Sequence, residues 1–218
     1  MQTGETLDVM GYRGEPVPHT FLRQPGDADH AGILLPGLRY TCDMPLLYYP
    51  ARLLSDLGAD VLRVEYAYDR RADFQALPEA EQNRWFLADV GAACRAILAQ
   101  RAYQRITLIG KSIGTLAMGL LLASEPAFTQ AAAIWLTPLL AQRALREQIR
   151  QHRGRSLIII GTADRYYNPD HLAEVQSATG GAAVVVDGGD HSLNIKGDVL
   201  HSLQALEQVM QAIRSFLA

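Results

Sequence analysis

Six apolar runs of strand length, none with regular alternation, constrain this chain more than any other feature; they cover residues 31–35, 61–66, 106–109, 131–136, 157–160 and 182–186. A run without alternation keeps no face for water. Each such strand must be covered on both sides, as in a parallel sheet. Helical patterns lie between the runs, over 45–57 (closing on Gly58), 79–100, 113–124, 142–152, 169–178 (capped by Asn168) and 199–217. In the last of these, Leu203, Leu206, Val209, Ile213 and Phe216 are expected to form the buried stripe. Repeated strand–helix units joined by right-handed crossovers predict an α/β fold: a three-layer α/β/α sandwich with a mostly parallel sheet. Two polar segments, 8–12 and 17–23, flank the turn Arg13-Gly14-Glu15-Pro16. They predict an antiparallel pair at the N-terminal sheet edge. No repeat or linker interrupts the pattern, so residues 1–218 read as one domain.

Composition removes several functions. A net charge of -3 supplies no pull toward nucleic acid. Residues 1–10 lack the basic and apolar regions of a signal peptide, and the longest apolar stretch, 116–123, is too short to span a bilayer. No membrane partner and a cytoplasmic location are therefore expected. Cys42 and Cys94 are too few for a disulfide framework and read as reduced thiols in small spaces. Of 20 basic residues, only Lys111 and Lys196 are lysines.

Lys111 sits in Gly110-Lys111-Ser112-Ile113-Gly114, a Gly-x-Ser-x-Gly pattern between a strand and a helix. A sharp strand-to-helix turn needs small neighbours, and it places Ser112 at the positive end of the following helix. A plain tight turn without chemistry fits the same five residues. A phosphate-binding loop does not, because it needs glycine where Arg105 stands.

A serine hydroxyl needs a base, and the base needs an orienting acid. Asp164 follows the 157–160 strand in Gly161-Thr162-Ala163-Asp164; His191 follows the 182–186 strand in Asp187-Gly188-Gly189-Asp190-His191. Chemistry in open α/β sheets gathers at such strand ends. Asp187 and Asp190 are weaker candidates for the acid. Asp190 adjoins His191 and is better suited to holding the loop through local backbone bonds. The Asp187, Asp190, His191 cluster has no second His or Cys at ligand spacing, so no metal is expected. His19, His30, His152, His171 and His201 fall away from this rim and read as surface histidines. The backbone N–H groups of Leu38, after Gly37, and of Ile113, after Ser112, are candidate oxyanion donors.

Leu35-Pro36-Gly37-Leu38, Gly110-Lys111-Ser112-Ile113-Gly114, Gly161-Thr162-Ala163-Asp164 and Gly189-Asp190-His191, in this order, resemble the α/β-hydrolase superfamily. Within it the chain is similar to small lidless serine hydrolases related to dienelactone hydrolases and compact esterases. The resemblance implies the α/β-hydrolase fold, a Ser112-His191-Asp164 triad, no cofactor and a small ester or thioester substrate. Dienelactone-type sites carry Cys where this chain has Ser112. The interval 136–157 leaves room for one helix and no lid. Tyr40, Lys111, Trp135 and Tyr166 are candidate substrate contacts, with Tyr48, Tyr49 and Tyr167 as further aromatics near the rim. Lys111 reads either as a solvent-facing or structural charge or as a bias toward anionic substrates. Arg143, Arg146, Arg150 and Arg153 share one helix face, read as a solvated face or as a dock for an acidic partner. Acyl transfer on the same triad and a non-catalytic binding module are the rival functions. An exposed sheet edge or the last helix offers a surface for a homodimer.

Overall fold

Nearly every residue of the central strands is buried, as runs without a water-facing side require. The computed structural model describes residues 4–218. Its strands are β1 (His19–Leu22), β2 (His30–Leu35), β3 (Asp60–Val64), β4 (Arg105–Lys111), β5 (Ala132–Leu136), β6 (Ser156–Gly161) and β7 (Ala182–Val186). They form one sheet in the order β1-β3-β2-β4-β5-β6-β7. All pairs are parallel except β1 with β3. The helices are α1 (Pro45–Asp56), α2 (Ala72–Gln75), α3 (Glu79–Leu98), α4 (Ile113–Ser124), α5 (Arg143–Gln151), α6 (Pro169–Thr179) and α7 (Val199–Leu217).

Alternate residues of each strand feed different cores. Ile33, Leu108, Trp135 and Ile158 join residues of α3, α4, α5 and α6 such as Val90, Ala117, Leu145 and Val175. Leu34, Ile109, Ile134 and Ile159 join Leu47 of α1 and Val209 and Ile213 of α7. The sheet is thus sandwiched between two helical layers.

Three expectations need correction. The antiparallel edge exists, but β1 pairs with β3 rather than with residues 8–12. Residues 8–12 meet the following segment only in an isolated Met10–Pro16 bridge, with bonds from the Val17 N–H to the Val9 carbonyl and from the Gly11 N–H to the Glu15 carbonyl. Pro16 and Pro18 lack the N–H groups a ladder needs. In α7, Leu203 is 56% exposed, and the buried stripe runs through Ala205, Val209, Ile213 and Phe216. Each residue turns the helix about 100°, which puts Leu203 about 120° from Val209. Lastly, His30 and His152 are buried. His30 on β2 shares a 2.9 Å hydrogen bond with the Thr107 hydroxyl on the neighbouring β4.

Burial, aided by Arg105, lowers the His30 pKa from 6.5 to about 4. The folded chain therefore keeps His30 neutral where the unfolded chain takes up a proton. Its contribution is complete above pH 6.5 and is lost as pH falls toward 4, a change of about 3 kcal/mol. In urea unfolding, the wild type is expected to lose about that much more stability than His30→Gln between pH 6.5 and pH 4. Equal losses in the two proteins would show that His30 does not carry the effect.

Candidate active site

The elbow between β4 and α4 is built on close approach. A Cβ on Gly114 would lie 2.1 Å from the Leu35 carbonyl oxygen, and one on Gly110 would lie 2.8 Å from the Gly114 carbonyl oxygen. No other residue type fits at either position without moving β2 or α4. The turn forces Ser112 to φ 54° and ψ -117°. Its N–H donates to the Leu136 carbonyl at 3.1 Å, and its carbonyl accepts from the Thr115 N–H and hydroxyl at 2.9 and 2.6 Å. Thr115, fully buried, thus braces the strained residue. Its sequence signal is a hydroxyl three positions after the serine.

Two further loops meet at Ser112. The loops after β6 and β7 are tied by bonds from the Thr162 N–H to the Val186 carbonyl and from the Ala163 N–H to the Gly189 carbonyl, 2.9 and 3.0 Å. A Cβ on Gly161 would lie 2.0 Å from the Gly189 oxygen, so glycine is what lets these loops touch. Asp164 is buried. Its Oδ1 accepts from the Tyr166 N–H at 3.0 Å, and its Oδ2 lies 2.8 Å from His191 Nδ1. His191 Nε2 lies 2.9 Å from Ser112 Oγ. Residues 112, 164 and 191 therefore form one hydrogen-bonded line. Asp190 holds the loop from inside: its carboxylate accepts from the Ser192 and Asn194 N–H groups at 2.7 and 3.0 Å. Asp187 accepts from the Thr162 hydroxyl at 3.0 Å.

The third loop follows β2. The Gly37 and Tyr40 backbones bond to each other at 3.1 and 3.4 Å, leaving Leu38 and Arg39 at the tip. A Cβ on Gly37 would stand 3.3 Å from Ser112 Cβ, which measures how near this loop comes. Among the described residues, the N–H groups of Leu38 and Ile113 have no acceptor within the chain. The loop is anchored by Tyr66, whose buried hydroxyl donates to the Pro36 carbonyl at 2.6 Å. Tyr66 stacks on Tyr68, with ring centroids 4.9 Å apart, and the Tyr68 hydroxyl donates to Asp89 at 2.7 Å. The only trace of this anchor in the sequence is the pair Tyr66 and Tyr68 just beyond a strand.

The four candidate substrate contacts do not line one surface. Trp135 is fully buried in the core against α3–α6, and its indole N–H points to the Ser156 hydroxyl at 3.4 Å. Its place inside β5, on the face covered by helices, explains the correction. Tyr40 is also buried, and its hydroxyl accepts from the Leu46 N–H at 2.9 Å. Lys111 does not face solvent: it is 2% exposed, and its Nζ donates to the His191 carbonyl at 2.9 Å. Tyr166 stands at the rim, 5.2 Å from the His191 ring. Tyr48 and Tyr49 are exposed on α1, and Tyr167 packs on the core. The arginine face is partly spent inside the chain. Arg146 and Arg150 reach Glu174 on α6 at 2.9 and 3.5 Å.

The residues from β5 to β6 hold α5 and no inserted lid. A cleft of about 410 Å³, lined by His30, Thr107, Arg155 and Phe216 among others, involves none of the residues of the hydrogen-bonded line.

An alpha/beta hydrolase domain matches residues 40–218. The chain belongs to the alpha/beta hydrolase family. Among curated proteins, none matches the sequence. Solved structures share the fold at low identity. Est1E from Butyrivibrio proteoclasticus, with ferulic acid bound, superposes with TM-score 0.73 at 15% identity, over 96% of this chain and 97% of that one. XC6422 from Xanthomonas campestris, described as an a/b serine hydrolase without lid, gives TM-score 0.73 at 17% identity, over 100% and 94%. A dienelactone hydrolase from Anabaena variabilis gives 0.71 at 15%, over 100% and 98%. No helix among the described residues of this hydrolase is long and apolar enough to cross a membrane.

Gly114→Ala tests the elbow. The added methyl group collides with backbone rather than with a side chain that can swing away. The variant is expected to lose about 3 kcal/mol or more of stability in thermal or urea unfolding. A variant as stable as wild type would show that β2 and α4 are not in this contact.

Proposed function

We propose that the protein is a serine hydrolase that cleaves a carboxylic ester or thioester through an acyl-enzyme. The observation that carries this reading is the position of His191, 2.9 Å from Ser112 Oγ on one side and 2.8 Å from Asp164 Oδ2 on the other. His191 Nε2 takes the Ser112 proton as Oγ attacks the acyl carbon. The N–H groups of Leu38 and Ile113 receive the developing oxyanion. His191 then hands its proton to the leaving alcohol or thiol, and water releases the acid by the same steps in reverse. Asp164 keeps the Nδ1 proton in place and stabilises the imidazolium.

Two further observations support it. The two N–H groups offered to the oxyanion are unspent in the chain. The backbone of Ser112 is held at φ 54°, and strained conformations of this kind cluster at active sites.

Ser112→Ala is expected to cut turnover of short aryl esters by about 10⁴-fold or more, and Asp164→Asn by about 10⁴-fold. A fluorophosphonate probe is expected to label Ser112 in the wild type. Undiminished turnover in Ser112→Ala, or labelling elsewhere, would sink the assignment. A wild type that neither labels nor hydrolyses any ester would instead be a binding module on a hydrolase fold.

A further inference from the structure

Lys111 is a buried cation that the reaction sequence above does not use. Its side chain crosses the site behind the reacting atoms. A Cβ on Gly37 would stand 3.2 Å from Lys111 Cδ, so the aliphatic stem lies along the oxyanion loop. The ammonium sits 4.6 Å from the centroid of the Tyr40 ring. Tyr40 is itself buried and fixed by the Leu46 N–H. Beyond the ring, Nζ donates to the backbone carbonyl of His191 at 2.9 Å. One side chain thus touches the loop after β2 and the histidine loop, while its own backbone adjoins the nucleophile. With 2% exposure and its head turned to a main-chain carbonyl, it is not placed to meet a substrate.

We infer that Lys111 is a positioning residue for His191, its ammonium clamping the histidine carbonyl and so fixing the reach of the imidazole to Ser112. Its catalytic consequence rests on the hydrolase reading above; the clamp itself does not. A charge-assisted bond holds the carbonyl more tightly than a neutral amine would. The groups around the ammonium are Asp164, the Asp190–His191 loop and the Tyr40 ring. Burial lowers the Lys111 pKa to about 8, while Asp164 and Asp190 pull it upward. The clamp is therefore charged at neutral pH and weakens as pH rises through about 8.

Lys111→Met keeps the stem and removes the head. At pH 7 it is expected to lower kcat on a neutral aryl ester about tenfold to a hundredfold. KM is expected to stay within about twofold on that ester and on an acidic one, since no ground-state contact is lost. Wild-type kcat is expected to fall above pH 8, and the variant to lack that limb. A second readout is independent of activity: the low-field Nδ1 proton of His191, followed by NMR, is expected to shift or broaden in Lys111→Met. Wild-type kcat in the variant, a rise in KM confined to the acidic ester, or an unchanged Nδ1 resonance would each overturn the inference. If the variant does not fold, the wild-type resonance titrated from pH 6 to 10 decides. A change centred near pH 8 is expected, and a flat trace overturns the clamp. Absence of fluorophosphonate labelling at Ser112 in the wild type would fail the hydrolase reading alone, leaving the NMR arm to judge the clamp.

Discussion

The contact of Gly114 with the Leu35 carbonyl is the constraint on which the rest of the rim depends. It brings α4 down onto the end of β2, so the turn at Ser112 has to be sharp and its φ positive. Strain does not stop there. Thr137 and Leu193, both non-glycine residues with left-handed φ, lie in the loops after β5 and β7. Such conformations cost about 1–3 kcal/mol each and persist only where their surroundings leave no alternative. Here the surroundings are backbone bonds to a neighbouring strand end or within the loop itself. The Ser112 N–H reaches Leu136, the Thr137 N–H reaches Ile159, and the Leu193 N–H reaches Asp190. Each strained loop is held by a bond from its own segment or the neighbouring strand.

Most of this frame is legible in the sequence because burial on both faces of a strand leaves an unmistakable apolar run. The six runs fall on β2 to β7, with ends displaced by a residue or two. The exception, β1, is short, half polar and antiparallel, so it carries no such run. The residues of the hydrogen-bonded line are legible for a different reason. Ser112, Asp164 and His191 stand within three residues of glycines at strand ends; a Cβ on Gly110, Gly114 or Gly161 would meet backbone at 2.0–2.8 Å, and one on Gly189 would meet Val186 at 2.9 Å. Glycine next to a polar residue thus records a packing constraint and a chemical one together.

What surrounds that line is less legible, because it depends on where side chains point rather than on where strands end. Trp135, near the end of a strand, turns into the core, while Tyr166, in a loop, lies beside His191. Both are aromatic residues near a rim in the sequence. Lys111 is the sharper case. A lone lysine beside Ser112 suggests a charge offered outward, yet the stem is drawn along Gly37 and Tyr40 to a carbonyl in another loop. Tyr66 works in the same hidden way, holding the Pro36 carbonyl from beneath. These supporting residues are joined to the site by main-chain acceptors, and a main-chain acceptor leaves no mark in residue identity.

The line from Ser112 to His191 spans three separate stretches of chain, and its last member is followed by the α7 segment that helps close the second core. On a ribosome the elbow is made long before the histidine exists. The glycine contacts of β2, β4 and α4 can form first, but Ser112 then has no imidazole beside it. Once β7 and its loop have joined the sheet edge, the imidazole arrives beside a serine already bent to receive it. The order of synthesis therefore leaves the hydrogen-bonded line open until the last strand of the sheet has been made.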